Sequence, residues 1–498
     1  MQRSMNIDTT TNELEYASID FDDPQALLEH AKKLEGHTFR EVLDLGITPD
    51  GPVLEKADYN DASFKGGMGT LIEERYFGYR ANSDAHADFD DAGVELKTTC
   101  YDVKNDGSVR AGERLVLGMI AFDESIERPF DESHMWEKGG NILLIYYKRD
   151  KTIDKYDQRI EYVTLFTPPD EDLAIIREDY GIIQEYVTEG RADELSESMT
   201  HYLGACTKGA TAEKSMRDQS VYAPGKKAKG RAWCYKNSYM NVVLNDYIIG
   251  QRGNESIIKD SEQLSKCSFD QHVISLIEPF IGMTDKDICD RLGLAYTGNK
   301  AQWTTIVYHM LGLHDNRADE FEKANINVRT VRIEQHGRIK ESLSLDTFSF
   351  IDILDEEWDD APLHEYFEET RFLFVAFQKE EDELHLKGAT FWSMPRADID
   401  GPLRACWETT KDVIATGVTI TRVPRGDGYR FENNLPKKSD NPVAHVRPHT
   451  SKAAYRLESG LTFGNINRDA DELPDGRAMT KQSFWLNNDY IYEIVRDI

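Results

Sequence analysis

The chain has 498 residues, 40% of them hydrophobic and 10% aromatic. That is too long for one ordinary domain and too apolar for wholesale disorder. Lys and Arg total 59 against 90 Asp and Glu, a formal charge of −31, so the average field repels nucleic acid and anionic membranes, and any polyanion partner needs a local basic patch. No run of eighteen apolar residues and no apolar signal-peptide core occurs, which predicts a cytoplasmic protein. The six cysteines (Cys100, Cys206, Cys234, Cys267, Cys289 and Cys406) are scattered, without the spacing of a structural zinc site or a disulfide framework.

In chain order, residues 27–34 have helical apolar spacing and run into Gly36-His37-Thr38, where Thr38 is placed to cap a second helix. A helix is expected over 69–77. Residues 94–98 alternate and read as a strand entered from a turn at Gly93, with further strands over 115–122, 141–148 and 161–166. Helices are expected over 171–185 and 239–249. This mixture predicts an α/β (α+β) domain with a central mixed sheet flanked by helices. Residues 251–265 are polar, lack periodicity and read as a linker between a first domain over 1–250 and a second over 266–498.

The second half echoes the first. Residues 273–281 are again apolar-periodic and run into Gly282-Met283-Thr284, the same Gly-x-Thr step 246 positions on. Lys65-Gly66-Gly67-Met68-Gly69-Thr70-Leu71-Ile72 pairs with Lys300-Ala301-Gln302-Trp303-Thr304-Thr305-Ile306-Val307. Phe89 to Val94 pairs with Phe321 to Ile326. Gly230-Arg231-Ala232 with Lys236-Asn237 pairs with Gly476-Arg477-Ala478 with Lys481-Gln482. These weak matches, all in one order, predict a tandem duplication.

Glu95 and Lys97 are two apart on a strand and so share a face, and no other Glu-x-Lys occurs in the chain. Asp88 lies across the turn at Asp91-Ala92-Gly93, far enough for the chain to double back beside Glu95. Two carboxylates suit Mg²⁺, and a neighbouring ammonium suits water activation or phosphate neutralisation in phosphodiester hydrolysis. Taken alone, Asp84, Asp88, Asp90 and Asp91 also fit a solvated acidic loop.

The ordered set from Lys65 to Glu73, then Asp88-Phe89, then Gly93-Val94-Glu95-Leu96-Lys97-Thr98, resembles the MutH family of GATC-specific endonucleases. The resemblance extends over most of residues 24–245. It implies a restriction-endonuclease fold, with Asp88 and Glu95 as Mg²⁺ ligands and Lys97 as the catalytic lysine. It also implies Glu73 as a supporting acid, with adjacent Glu74 its rival, and Lys138 as a second active-site lysine. In the second half the aligned positions hold Glu320, Asn327, Arg329 and Glu368, which predicts a copy without nuclease chemistry, since Asn327 carries no charge and Arg329 cannot act as a base. One live and one silent copy resemble the two-domain, GATC-cutting type II restriction endonucleases of the Sau-three-A-I type, with a cognate DNA methyltransferase as functional partner and dimerisation on DNA. A mismatch-repair nickase and a non-catalytic GATC-binding scaffold are the alternatives.

Duplex DNA needs basic ground. Lys208, Lys214, Arg217, Lys226, Lys227, Lys229, Arg231 and Lys236 stand against only Glu213 and Asp218, with Tyr222, Trp233 and Tyr235 interleaved. In the second half His445, Arg447, His449 and Lys452, with Arg477 and Lys481, form the comparable candidates. The alternation of His445-Val446-Arg447-Pro448-His449 puts its His and Arg side chains on one strand face, and Arg447 is open to either base reading or phosphate contact. Where the mismatch-repair branch has Arg-Pro-Lys, the first half has Cys206-Thr207-Lys208, and Arg447-Pro448 restores the pattern in the second.

Overall fold

Glu95 opens a strand because the residues before it form a tight reversal. Gly93 adopts the left-handed φ of 63° that glycine tolerates, and Phe89 and Val94 bond each other across the turn at 2.9 and 3.1 Å. The computed structural model describes residues 20–45, 67–79, 86–126, 128–207, 215–251, 253–260, 263–264, 266–426 and 428–498. Lys65, Gly66, Asp84, Lys208 and Lys214 lie outside those residues.

The chain divides into two compact units. One comprises 1–188, 202–207 and 231–253, and the other 189–201, 208–230 and 254–498. The strands of the first half are β1 Glu95–Val103, β2 Val109–Ala111, β3 Leu115–Met119, β4 Ile142–Lys148, β5 Ile160–Phe166, β6 Leu203–Thr207, β7 Met216–Asp218, β8 Lys227–Lys229 and β9 Arg231–Tyr235. Its principal helices are α1 Pro24–Ala31, α2 Phe39–Asp44, α3 Gly67–Leu71, α4 His134–Gly139, α5 Asp170–Thr188 and α6 Asn237–Val242. Helix α3 continues as a wide π-helical turn over Ile72–Phe77, ended by Gly78 at φ 76°. The predicted helices and strands of the first half form where the periodicity placed them, with ends that move by a few residues.

In the first unit the central sheet has the order β2-β1-β4-β5. β1 runs parallel to β4, with Glu95 opposite Ile142 and Lys97 opposite Leu144, and the other pairings are antiparallel. Leu96, Leu143, Ile145 and Val163 bury one side against Leu27, Leu34, Phe39 and Val42 of the N-terminal helices. A second sheet, β3-β9-β6, completes the unit.

The second unit repeats this plan. Its helices include α7 Phe269–Ile277, α8 Asp285–Leu292, α9 Lys300–Met310, α10 Asp319–Ala324, α11 Pro362–Glu369, α12 Arg404–Thr416 and α13 Asn488–Val495. Its strands are β10 Ile326–Glu334, β11 Arg338–Ile339, β12 Leu343–Thr347, β13 Arg371–Glu380, β14 Glu383–Trp392, β15 Ile420–Arg425, β16 Gly428–Asn433, β17 Ala444–Pro448, β18 Tyr455–Arg456, β19 Thr462–Phe463, β20 Ala470–Glu472, β21 Ala478–Thr480 and β22 Gln482–Leu486. The sheet order β11-β10-β13-β14 matches β2-β1-β4-β5, and β12-β22-β17 matches β3-β9-β6. The helix caps agree as well. Thr38 accepts from Glu41 N and Thr284 from Asp287 N, while Gly36 N donates to Ile160 O and Gly282 N to Leu386 O, each at 2.8 Å.

The register corrects one of the sequence pairings. Leu115 and Leu203 both oppose Tyr235, and Leu343 and Ala444 both oppose Leu486. Lys236 therefore matches Asn487, each the N-cap of the next helix, rather than Lys481. The Gly-Arg-Ala string at 476–478 leads into β21 of an additional four-stranded sheet, β19-β18-β21-β20. The stretch read as a linker is also partly fixed. Ser256, Ile257 and Ile258 all bond Glu320, so residues from Asn254 onward count with the second unit.

Candidate active site

The turn at 90–93 brings Asp88 back over the start of β1, where its Oδ2 accepts from Leu96 N at 2.9 Å. Glu95 points to the same place from the first residue of the strand and is 1% exposed. Lys97, on the same face, donates to Glu95 Oε1. Lys138 reaches the same carboxylate from the last turn of α4, its Nζ 3.3 Å from Oε2 and 3.4 Å from Oε1. Burial raises the Glu95 carboxyl above its ordinary range, and the ammonium of Lys97 opposes that shift.

Glu73 joins from the π turn. Burial, then the charge of Asp88, pushes its carboxyl up to about 7, and Lys97 offsets part of the shift. Its rival Glu74 is buried, 5% exposed. Glu73 lies near enough to Asp88, Lys97 and Glu95 for their charges to act on its carboxyl.

Sequence reasoning missed two neighbours. Among the described residues the Tyr79 hydroxyl is buried without a hydrogen-bond partner, and its ionisation is suppressed by burial and then by Asp88, Glu73 and Glu95. No sequence signal marks it. The second is a set of donors from His86, Asp90 and Glu137, whose ligand atoms lie within 4.8 Å of one another. His86 Nδ1 is 2.7 Å from Glu137 Oε1, and His134 Nδ1 is 3.2 Å from the other oxygen.

The carboxyl groups of Asp88, Glu95 and Glu73 gather against the two ammonium groups of Lys97 and Lys138, with Glu95 buried and the other two partly buried. A hard divalent cation fits such an oxygen donor set, with Asp88 and Glu95 to hold it and Glu73 behind them.

The second unit has the same frame with different contents. Asn327 opposes Phe372 as Glu95 opposes Ile142, and Arg329 opposes Phe374 as Lys97 opposes Leu144, so the register gives the same correspondence as the sequence. Glu320 is 3% exposed and accepts from Ser256 Oγ, Ile257 N and Ile258 N, which ties it to structure. Glu368 is paired with Arg396.

The basic island is less open than its composition predicts. Arg231 is buried inside β9 and donates to Ala205 O, and Lys236 is buried at the start of α6, so neither head group meets solvent. Lys226 pairs with Asp193 and Lys229 with Asp359, both at 2.7 Å. Arg217 and Lys227 are exposed. In the second unit His445 and Arg447 share one face of β17, and His449 follows one residue past its end, with Nδ1 3.2 Å from Ser483 Oγ. His445, however, is buried on Asn487 Oδ1 at 2.6 Å, and Arg477 is held by Asp475 and Val418 O. Arg447, which stacks over Trp485 at 4.3 Å, is exposed along with His449 and Lys452, and Lys481 is partly exposed. The register matches Cys206 with Arg447 and Thr207 with Pro448.

Comparison with known proteins decides the family. The type II restriction enzyme Sau3AI of Staphylococcus aureus is 36% identical over 451 residues, spanning 85% of this chain and 91% of the relative. The chain belongs to that family of type II restriction enzymes. The family model described as DNA mismatch repair enzyme MutH matches residues 77–179, which include Asp88, Glu95, Lys97 and Lys138. The DNA mismatch repair protein MutH of Pasteurella multocida strain Pm70 is 21% identical over 226 residues, 45% of this chain and 96% of that protein. The MutH of Pectobacterium atrosepticum is 27% identical over 172 residues, 34% of this chain and 69% of that protein. A restriction enzyme of this family is a site-specific deoxyribonuclease acting on double-stranded DNA. Among the described residues no helix is long and apolar enough to cross a membrane.

Proposed function

We propose that residues 1–250 cut duplex DNA at GATC sites with Mg²⁺, and that residues 266–498 form a DNA-binding or regulatory module. The observation that carries this reading is the meeting of Asp88, Glu95, Lys97, Lys138 and Glu73 at one strand end in the first unit. The corresponding frame of the second unit holds Glu320, Asn327, Arg329 and Glu368, with Glu320 and Glu368 already bonded.

Asp88 and Glu95 hold the divalent ion, which supplies positive charge at the phosphate when bound. Lys97 orients the attacking water, helps to take its proton and offsets phosphate charge, with Lys138 beside it. Glu73 buttresses the carboxylate pair. Water adds its oxygen to phosphorus as the bond to the 3′ oxygen breaks, leaving a 5′-phosphate and a 3′-hydroxyl. One such centre per chain cuts one strand at a time, so both strands of a palindrome require two chains on the DNA or two successive events. Arg217, Lys226, Lys227, Lys229, Arg447, His449, Lys452 and Lys481 are exposed or partly exposed candidates for DNA contact, with Lys226 and Lys229 also paired to Asp193 and Asp359. A cognate methyltransferase in the same cytoplasm protects host sites.

The test is cleavage of unmethylated GATC plasmid by wild type and Lys97→Ala, with Mg²⁺ or EDTA. Discrete GATC fragments from wild type alone, and only with Mg²⁺, are expected. DNA binding by both proteins without cleavage by either would sink the reading.

A further inference from the structure

We infer that the second unit contains a binding cavity for a phosphate group carried by a molecule of mononucleotide size. The cavity measures about 380 Å³, and the charged residues in its wall are Lys300, Arg329, Arg332 and Lys340 against Asp285 and Glu341. The chain as a whole has 59 basic residues against 90 acidic ones, so the wall inverts the charge of the molecule.

Most of that wall is already neutralised. Lys300 pairs with Glu341, while Arg332 and Lys340 share Glu334. Asp285 accepts from Trp303 Nε1 at 3.1 Å and from the Tyr296 hydroxyl at 3.4 Å. Arg329 is the exception. Its one hydrogen bond among the described residues is to the Tyr366 hydroxyl at 3.5 Å, and its Nε is buried without a partner.

The cause lies in the duplication. In the first unit Lys97 is answered by Glu95 two residues away, whereas Arg329 has uncharged Asn327 at that position. A guanidinium cannot shed its proton, so Arg329 keeps a charge without an ion-pair partner among the described residues and is open to an anion brought by a ligand. Its planar fork fits phosphate oxygens. The volume lies in the range of small-molecule sites and is too small for a duplex. Tyr296 also lines the cavity and is 47% exposed, which offers a ring face for a base. The phosphate source is either a free nucleotide or one nucleotide of a DNA strand. The inference does not depend on cleavage by the first unit.

The test is calorimetric titration of the full chain in EDTA with inorganic phosphate, with dAMP, and with a blunt duplex lacking GATC. One dAMP per chain is expected. Arg329→Met should weaken phosphate and dAMP at least about tenfold, Arg329→Lys should restore only the part of the affinity that charge alone supplies, and Lys97→Met should leave it unchanged. Tyr296→Ala, an exposed substitution that leaves the fold intact, should weaken dAMP by roughly tenfold and spare phosphate. Competition between duplex and dAMP assigns the phosphate to DNA, and its absence assigns it to a free nucleotide; either result upholds the cavity. The inference is overturned by an absence of saturable binding or by equal affinity in Arg329→Met. It also falls if Lys97→Met loses the site, or if dAMP binding is indifferent to Tyr296→Ala.

Discussion

Strands β1 and β10 occupy equivalent places in two sheets of the same order, each parallel to one neighbour and antiparallel to the other. At the mouth of β1 a turn delivers Asp88 as an acceptor for one backbone amide. At the mouth of β10 a helix delivers Glu320 into three donors. The apolar residues and backbone register hold the frame in both units, while a few polar side chains decide whether the strand end is available for chemistry or spent on structure.

The sharpest way to break this contrast is to disable each strand end in turn. Lys97→Ala is expected to lower single-turnover cleavage by roughly 10²–10⁴-fold, while Asn327→Ala changes it less than about threefold, because no reacting group contacts that side chain. Comparable losses in both variants would mean that the second site takes part in the chemistry.

Stability should answer the opposite way. Glu320→Ala leaves three donors without their acceptor and is expected to cost about 3–5 kcal/mol in urea unfolding. Asp88→Ala strands one amide and should cost about 1–2 kcal/mol. Equal costs would erase the distinction between the structural and the functional acid.

A pH difference comes next. His30 is buried against Tyr76 and Phe77, and burial, aided by Lys33, lowers its pKa from 6.5 to about 4. The unfolded chain takes up this proton before the folded one. His30 therefore costs no stability above pH 6.5, and stability is lost as pH falls from 6.5 towards about 4. The loss should reach about 3 kcal/mol at most. His30→Leu should flatten the profile of the first unit over that window in unfolding experiments and leave the second unit unchanged.

The smallest expected effect is a symmetric one. Gly36 and Gly282 sit at φ 87° and 84° in the same turn of the two units, so Gly36→Ala and Gly282→Ala should each cost about 1–2 kcal/mol. Unequal melting shifts would show that the two turns bear different loads.

Much of this was legible in the residues. Period-two alternation located β1, β4 was among the further strands expected, Thr38 was expected to cap α2, and Glu95 with Lys97 marked one face of β1. Lys138 was reached only through resemblance, since its helix meets β1 by way of the parallel pairing with β4. The basic island misled because composition does not record burial: Arg231 and Lys236 belong to a strand and a cap inside the first unit. The slip at Gly476-Arg477-Ala478 has a related cause. A short string that fits a turn before a strand recurred in a different sheet, at β21 rather than at β22, the strand that matches β9.

The wide turn at Ile72–Phe77 bears on ancestry. A π turn of this kind is what remains when one residue is inserted into an α-helix and the fold absorbs it locally. Removing one residue there would restore a regular helix but rotate everything upstream by about 100°, carrying Leu71 and Ile72 out of the core or Glu73 away from Asp88. The insertion, once accepted, is hard to reverse. Any alignment of this helix with relatives should therefore place its gap beside Glu73 and Glu74, where one frame shift exchanges the acid facing the site for its buried neighbour.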